Sequence, residues 1–327
     1  MNKENNTKIR VVFFGSAEFS LPSLICLYDT PFNIVAVVTQ PDKPFGRGKK
    51  ISRNVIGKWA NENKISTLQP ENLNDTEFFN KLSAIHPDIF IVVAYGKILP
   101  KTLLNLPKFG SINVHGSLLP KYRGASPIQA AILSDEIITG VSIMQMDAGM
   151  DTGPILSQEE VKIAPSDTAG TLSEKLSNIG GVLLVKTLTR LIVGEIKPVP
   201  QLHEGISVCK KLSKNDGQIN WSQTAQKIER QVRAFQPWPI AWTTLKSNHS
   251  LLKIHEARLS SADTSGRIPG DTFINTTGVL SVCCGENSAL DIITVQPQNK
   301  NKMPARDYIL GHREILISGL DLDFVRK

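Results

Sequence analysis

Two polar residues stand two positions apart in a short apolar stretch, Ser111-Ile112-Asn113-Val114-His115. Along an extended backbone such a pair projects to one side. An amide donor beside an imidazole suits a reaction in which negative charge grows on a carbonyl oxygen while a proton moves nearby. Gly116 then breaks the strand. Ser117-Leu118-Leu119-Pro120 forms a stiff apolar turn, followed by a basic loop with Lys121, Arg123 and Gly124. The glycine-rich stretch 146–154 offers a carboxylate, with Asp147 and Asp151 as competitors. Gly149 and Gly153 let its backbone come close to something bulky. Each residue alone has a bland reading. A single histidine at a strand end is more often a hydrogen-bonding partner, and Asp beside Gly is ordinary turn chemistry. His86, His203, His249, His255 and His312 stay in that class. Asn113, the Gly116 break and the apolar turn lift His115 out of it.

The elements around this stretch read as an α/β domain. Residues 8–14 are a near-continuous apolar run ending at Gly15, as a buried parallel strand requires. Helical spacing over 18–29 and a second apolar run over 33–39 complete a β-α-β opening. The first turn, Gly15-Ser16-Ala17-Glu18, lacks the three glycines of a dinucleotide fingerprint, which argues against NAD. Helices are expected over 52–63 and 75–85, the latter capped by Asn74. A third buried strand covers 88–94, and Pro100 opens a short helix. The central strand 111–114 follows, then a helix over 126–134, strands over 139–146 and 154–163, and a long amphipathic helix over 168–193. The fold expected for residues 1–194 is therefore a Rossmann-like, mostly parallel sheet with helices on both faces. The segment 88–96 brings Val92, Tyr95 and Gly96 to a strand end, where they can form one wall of a flat apolar slot. Leu118, Leu119 and Pro120 can form the other.

Residues 40–50, QPDKPFGRGKK, carry two prolines, two glycines and a cluster of positive charge that includes Arg47, Lys49 and Lys50. No regular element is expected there. The loop leaves the carboxyl end of the second strand, the edge at which open α/β sheets gather ligands. Residues 195–212 have two prolines and no helical period, and read as an interdomain linker. From 213 to 327 the texture changes. A helix over 222–235 precedes Pro237-Trp238-Pro239, and short strand candidates over 240–246, 251–260, 278–284 and 289–296 suggest a small barrel.

The chain's 327 residues carry a formal charge of +7, and residues 211–327 hold +4 of it. That balance fits a polyanionic partner. No apolar run is long enough to span a bilayer. The polar N-terminus argues against a signal peptide. Cys26, Cys209, Cys283 and Cys284 show neither metal spacing nor a disulfide framework. They read as reduced packing residues of a cytoplasmic protein, and no metal site is expected.

The Asn-x-His pair, the apolar turn, FFGSAEFS near the start and AFQPWP near 235 together resemble the folate-dependent formyltransferases. Among these the likeness is nearest to the members that act on methionine carried by initiator tRNA. The resemblance implies catalytic roles for Asn113, His115 and Asp151, and it chooses Asp151 over Asp147. It places Ser117, Leu118, Leu119 and Pro120 beside the folate, and makes the loop 40–50 a holder of the tRNA acceptor end, with Arg47 where an essential arginine is expected. It also implies an OB-like form for the second domain. The reaction implied is transfer of a formyl group from 10-formyltetrahydrofolate to the α-amine of methionyl initiator tRNA, by a monomer with no membrane association. Lys49, Lys50, Lys121 and Arg123 would add positive charge for the RNA. Two rivals use parts of the same chain. A formyltransferase for a small amine, such as an amino-sugar nucleotide, would share the three catalytic residues without needing the basic loop. A non-enzymatic RNA-binding protein would not need the three together.

Overall fold

The computed structural model describes residues 8–45 and 50–321. Arg47 and Lys49 lie outside the described residues. Two compact units are formed. The first comprises 1–127, 138–162 and 173–209, and the second 128–137, 163–172 and 210–327.

The first unit is built on the strands β1 (Arg10–Gly15), β2 (Asn33–Val38), β5 (Thr67–Leu68), β6 (Ile89–Val93), β7 (Ser111–His115), β9 (Ile138–Gln145) and β10 (Ile155–Lys162). Their order in the sheet is β10-β9-β7-β6-β1-β2-β5. The strands from β7 to β5 run parallel, while β9 and β10 are antiparallel to their neighbours. The order reverses at β1, which has β2 on one side and β6 on the other. Such a switch point opens a crevice at the carboxyl ends of the strands. Gly15, Val93 and His115 all end strands at that edge. The expected apolar runs form the interior: Val12, Phe14, Phe90, Val92 and Tyr95 pack in one buried cluster with Leu99 and Leu103.

The expected helices are present with shorter bounds: α1 (Leu21–Tyr28), α2 (Val55–Glu62), α3 (Thr76–Ala84), α4 (Lys101–Leu104), α5 (Pro127–Leu133) and α6 (Ala169–Ile192). The cap of α3 is Asp75 rather than Asn74, because the Asp75 carboxylate accepts the Glu77 N–H at 3.1 Å. The loop over 40–50 also differs from expectation. Its ends form a short hairpin, β3 (Lys43–Phe45) with β4 (Lys50–Ser52), in which Phe45 pairs with Lys50. A proline at position 44 is tolerated because the hairpin has no third strand requiring its missing N–H.

The segment after α6 is more than a tether. Val208–Cys209 forms β11, which pairs in parallel with β8 (Arg123–Gly124), the strand that follows the apolar turn. Gly124 is required there. Its φ is +114°, and a side chain would fall on the Cys209 carbonyl.

The second unit holds α7 (Ala225–Ala234) and an antiparallel sheet of β12 (Ala241–Thr244), β13 (Leu251–Ser260), β14 (Thr272–Ile274), β15 (Leu280–Cys284), β16 (Ser288–Pro297) and β17 (Met303–Pro304). The order β12-β13-β16-β15-β14 leaves two ends, so among the described residues no closed barrel is formed. Two short helices absent from the expectation, α8 (Ala305–Gly311) and α9 (Ile315–Ser318), add Tyr308, Ile309 and Ile315 to the core beside Trp221, Ile254, Leu290 and Val295.

Candidate active site

β7 carries Asn113 and His115 on one face and buries Ile112 and Val114 on the other. The loop after β9 brings Asp151 to that polar face. The Asn113 amide donates to Asp151 Oδ1 at 3.3 Å. His115 Nδ1 lies 3.7 Å from Asp151 Oδ2, within ion-pair reach but too long for a hydrogen bond. The same Oδ2 accepts the Gly124 N–H at 2.8 Å. Asn113 and His115 thus share one carboxylate, while Asp147 turns away. Its Oδ1 accepts the Gly149 N–H and the Thr152 hydroxyl, closing the loop on itself.

The other imidazole nitrogen settles the tautomer. His115 Nε2 lies 3.0 Å from the Tyr122 carbonyl oxygen. A carbonyl only accepts, so Nε2 carries a proton, and Nδ1 is the ring nitrogen that faces Asp151. The ring is therefore oriented by the main chain, and Asp151 stands where a proton taken up at Nδ1 would be stabilised. His115 is 6% exposed and Asp151 18%.

The apolar turn is held by a buried polar cluster. The Ser142 hydroxyl donates to Ser117 O at 2.6 Å and accepts the Leu119 N–H at 3.0 Å. Gln158 donates to Ser142 Oγ and Leu119 O. The Ser117 hydroxyl donates to Lys121 O at 2.6 Å. Ser117 and Leu119 are buried by these contacts, whereas Leu118 and Pro120 stay half-buried. Gly140 lets the Leu118 side chain lie on β9, since a Cβ there would clash with it.

At the end of β6, the Val92 and Tyr95 side chains point into the core. Burial pushes the Tyr95 phenol up to about 12, so it stays neutral. What this segment offers outward is the backbone of Ala94 and Gly96, both exposed. The Gln40 amide reaches over to donate to Tyr95 O at 2.7 Å and lies beside Gly96. Lys121 is exposed and Arg123 half-buried. Lys50 opens β4. Among the described residues no group of three or more His, Cys, Asp or Glu residues is placed to hold a metal ion, and no helix is long and apolar enough to cross a membrane.

Sequence reasoning missed Gln201. Its Nε2 donates to Asp151 O at 2.8 Å and to Gly153 O at 2.7 Å, and its Oε1 accepts from Arg123. Nothing in an aperiodic, proline-flanked stretch announces such a contact.

The sequence matches the formyl transferase family over residues 9–188 and that family's C-terminal domain over 211–313. The chain belongs to the formyl transferase family. Among its relatives, the methionyl-tRNA formyltransferase of Myxococcus xanthus is 42% identical over 93% of this chain and 95% of its own length. That of Thermodesulfovibrio yellowstonii is 45% identical over 93% of this chain and 96% of its own. Among solved structures, a sugar 3N-formyl transferase crystallised with dTDP and 5-N-formyl-THF aligns with a TM-score of 0.62 at 23% identity, covering 90% of this chain and 99% of that one. An N-formyltransferase from Helicobacter canadensis, in complex with folinic acid and dTDP-3-aminofucose, gives a TM-score of 0.62 at 22% identity, covering 88% and 99%. At that identity they show the shared fold.

Proposed function

We propose that this chain transfers a formyl group from 10-formyltetrahydrofolate to the α-amine of methionyl initiator tRNA, in the cytoplasm. The observation that carries the chemistry is the convergence of Asn113, His115 and Gly124 N–H on the Asp151 carboxylate. The relatives 42–45% identical over 93% of the chain carry the choice of acceptor.

The donor supplies the formyl carbon. A slot suited to its flat ring needs apolar walls and a few backbone partners. Half-buried Leu118 and Pro120 on one side, and the bare backbone of Ala94 and Gly96 on the other, fit that requirement. Asn113 has two amide hydrogens, of which Asp151 takes one. The second is available to the formyl oxygen, where negative charge grows as the amine attacks. A donor of this kind is worth roughly 3–4 kcal/mol of transition-state stabilisation. The amine attacks in its neutral form. A free α-amine has a pKa of about 8, and the ester lowers it, so a neutral fraction is present near pH 7. The proton it sheds passes to His115 Nδ1, directly or through water, and Asp151 then faces an imidazolium. As the tetrahedral intermediate collapses, the bond from the formyl carbon to N10 breaks and the imidazolium returns the proton to N10, releasing tetrahydrofolate. Tyr122 O keeps the other ring nitrogen occupied, so the ring cannot present the wrong tautomer.

The loop 40–50 with Arg47, Lys49 and Lys50, together with Lys121 and Arg123, supplies positive charge for the acceptor end of the RNA. The second unit, read as an OB-like sheet, supplies further affinity. Structural neighbours that formylate sugars make an amino-sugar nucleotide the rival acceptor, and the same site would serve it. An assay offering charged initiator tRNA, free methionine and an amino-sugar nucleotide decides between them. Formylation of the sugar nucleotide in preference to the tRNA would overturn the choice of acceptor.

A further inference from the structure

We propose that Gln201 is a positioning residue for the Asp151 carboxylate, so that the segment following α6 is part of the active-site framework. The inference rests on the role given to Asp151 above.

A side-chain amide has two N–H donors and an oxygen with two lone pairs. Gln201 uses all four. Both donors go to the Asp151 loop, at Asp151 O and Gly153 O, 2.8 and 2.7 Å away. Its oxygen accepts from Arg123 Nε at 3.0 Å and Nη2 at 2.7 Å. The loop needs such support. Asp151 has a φ of +53°, a left-handed conformation unfavourable for a residue with a side chain. Gly153 beside it packs so closely that a Cβ would fall on the Gln145 carbonyl.

The contacts close a ring. Gln201 fixes the Asp151 backbone and also grips Arg123. The next residue, Gly124, donates its N–H to Asp151 Oδ2 at 2.8 Å. The carboxylate is thereby set from its main chain and from its oxygen by groups that Gln201 ties together. A few residues on, the same segment reaches the imidazole. The Ser207 hydroxyl accepts the Tyr122 N–H at 2.8 Å, and the Tyr122 carbonyl holds His115 Nε2. Gln201 touches neither Asn113 nor His115, so it acts through Asp151. A misplacement of about 1 Å at a reacting group can cost roughly a hundredfold in rate.

Two variants separate this role from a simpler one in which Gln201 merely presents Arg123 to the RNA. Gln201→Leu removes all four hydrogen bonds. Gln201→Glu keeps an acceptor for Arg123 but sets an oxygen against two carbonyls. The measurement is kcat and KM for charged initiator tRNA in the full chain, alone and with Asp151→Asn. Thermal melting and affinity for 5-formyltetrahydrofolate serve as the folding checks. Both Gln201 variants should lose roughly ten- to a hundredfold in kcat, with KM changed less than about threefold. In the Asp151→Asn background Gln201→Glu should cost less than about threefold more, because the group it positions is gone. A Gln201→Glu variant with normal kcat overturns the proposal. So does a Gln201→Leu loss confined to KM, or losses that multiply with Asp151→Asn. If Gln201→Leu does not fold, Gln201→Glu decides alone. Failure of the wild-type chain to formylate the tRNA would instead count against the proposed function. An active wild type and an inactive Asp151→Asn, with a normal Gln201→Glu, would sink only this inference.

Discussion

Gly124→Ala perturbs the site without touching any of its side chains. Gly124 lies at a φ of +114°, and an added Cβ would fall 2.3 Å from the Cys209 carbonyl oxygen, a clash. Real Cβ contacts essentially never come below 3.0 Å, and the obstacle is backbone, so β8 and β11 must move apart by most of an ångström. The Gly124 N–H now holds Asp151 Oδ2 at 2.8 Å. A shift of that size takes it beyond about 3.5 Å and breaks a charge-assisted hydrogen bond, worth about 1.5–3 kcal/mol. Backbone strain at positive φ adds roughly 1 kcal/mol. The expected result is a kcat lowered about ten- to a hundredfold, with Tm lowered by several degrees. Steady-state formylation of charged tRNA beside a calorimetric melt reads both. A variant with wild-type kcat would show that the strand contact does not position Asp151, and a wild-type Tm would show that the close approach carries no strain.

Asn113→Ala, His115→Ala and Asp151→Asn should each lower kcat by about two or more orders of magnitude, and pairs should lose far less than the product because one transition state is served; single-turnover formylation measures this, and near-normal turnover in one variant removes that residue from the mechanism. Hydrogen bonds from Lys210 and then Ser213 hold the Asp216 carboxyl down at about 2, so its contribution is present above pH 4 and lost as pH falls through 2. With Lys210 largely exposed, screening limits that contribution to about 1 kcal/mol. Asp216→Asn should therefore lose about 1 kcal/mol at pH 7 in urea unfolding, with the gap closing toward pH 2; a gap constant with pH would contradict the assignment. Arg306→Glu and Arg313→Glu, both on the exposed surface of the second unit, should weaken tRNA binding and flatten its salt dependence by roughly 0.7–0.9 per lost phosphate contact. Unchanged slopes in a filter-binding salt series would place the RNA elsewhere.

What was legible in the sequence follows from burial. The strands Arg10–Gly15 and Ile89–Val93 are apolar on both faces, because helices cover the sheet, and a continuous apolar run has few other readings. Asn113 and His115 were legible because a two-residue period maps directly onto one face of a strand. Thr272–Ile274 was not, having three residues with one buried. The barrel expected for the second unit is not formed among the described residues, since strand spacing shows how many strands exist and not which edges meet. The choice of Asp151 over Asp147 came from family likeness, and its physical reason emerges only in three dimensions: Asp147 spends its carboxylate on its own loop. Gln201 was invisible because the contacts that matter span 48–78 residues of chain and leave no local period.

The central claim is tested most directly by one competition assay. Purified full-length chain, given 10-formyltetrahydrofolate with charged initiator tRNA and an amino-sugar nucleotide together, should place the formyl group on the methionyl α-amine. His115→Ala should lower that transfer at least a hundredfold while the protein stays folded. Formyl appearing mainly on the sugar nucleotide, or on the tRNA at an undiminished rate in His115→Ala, would contradict the account.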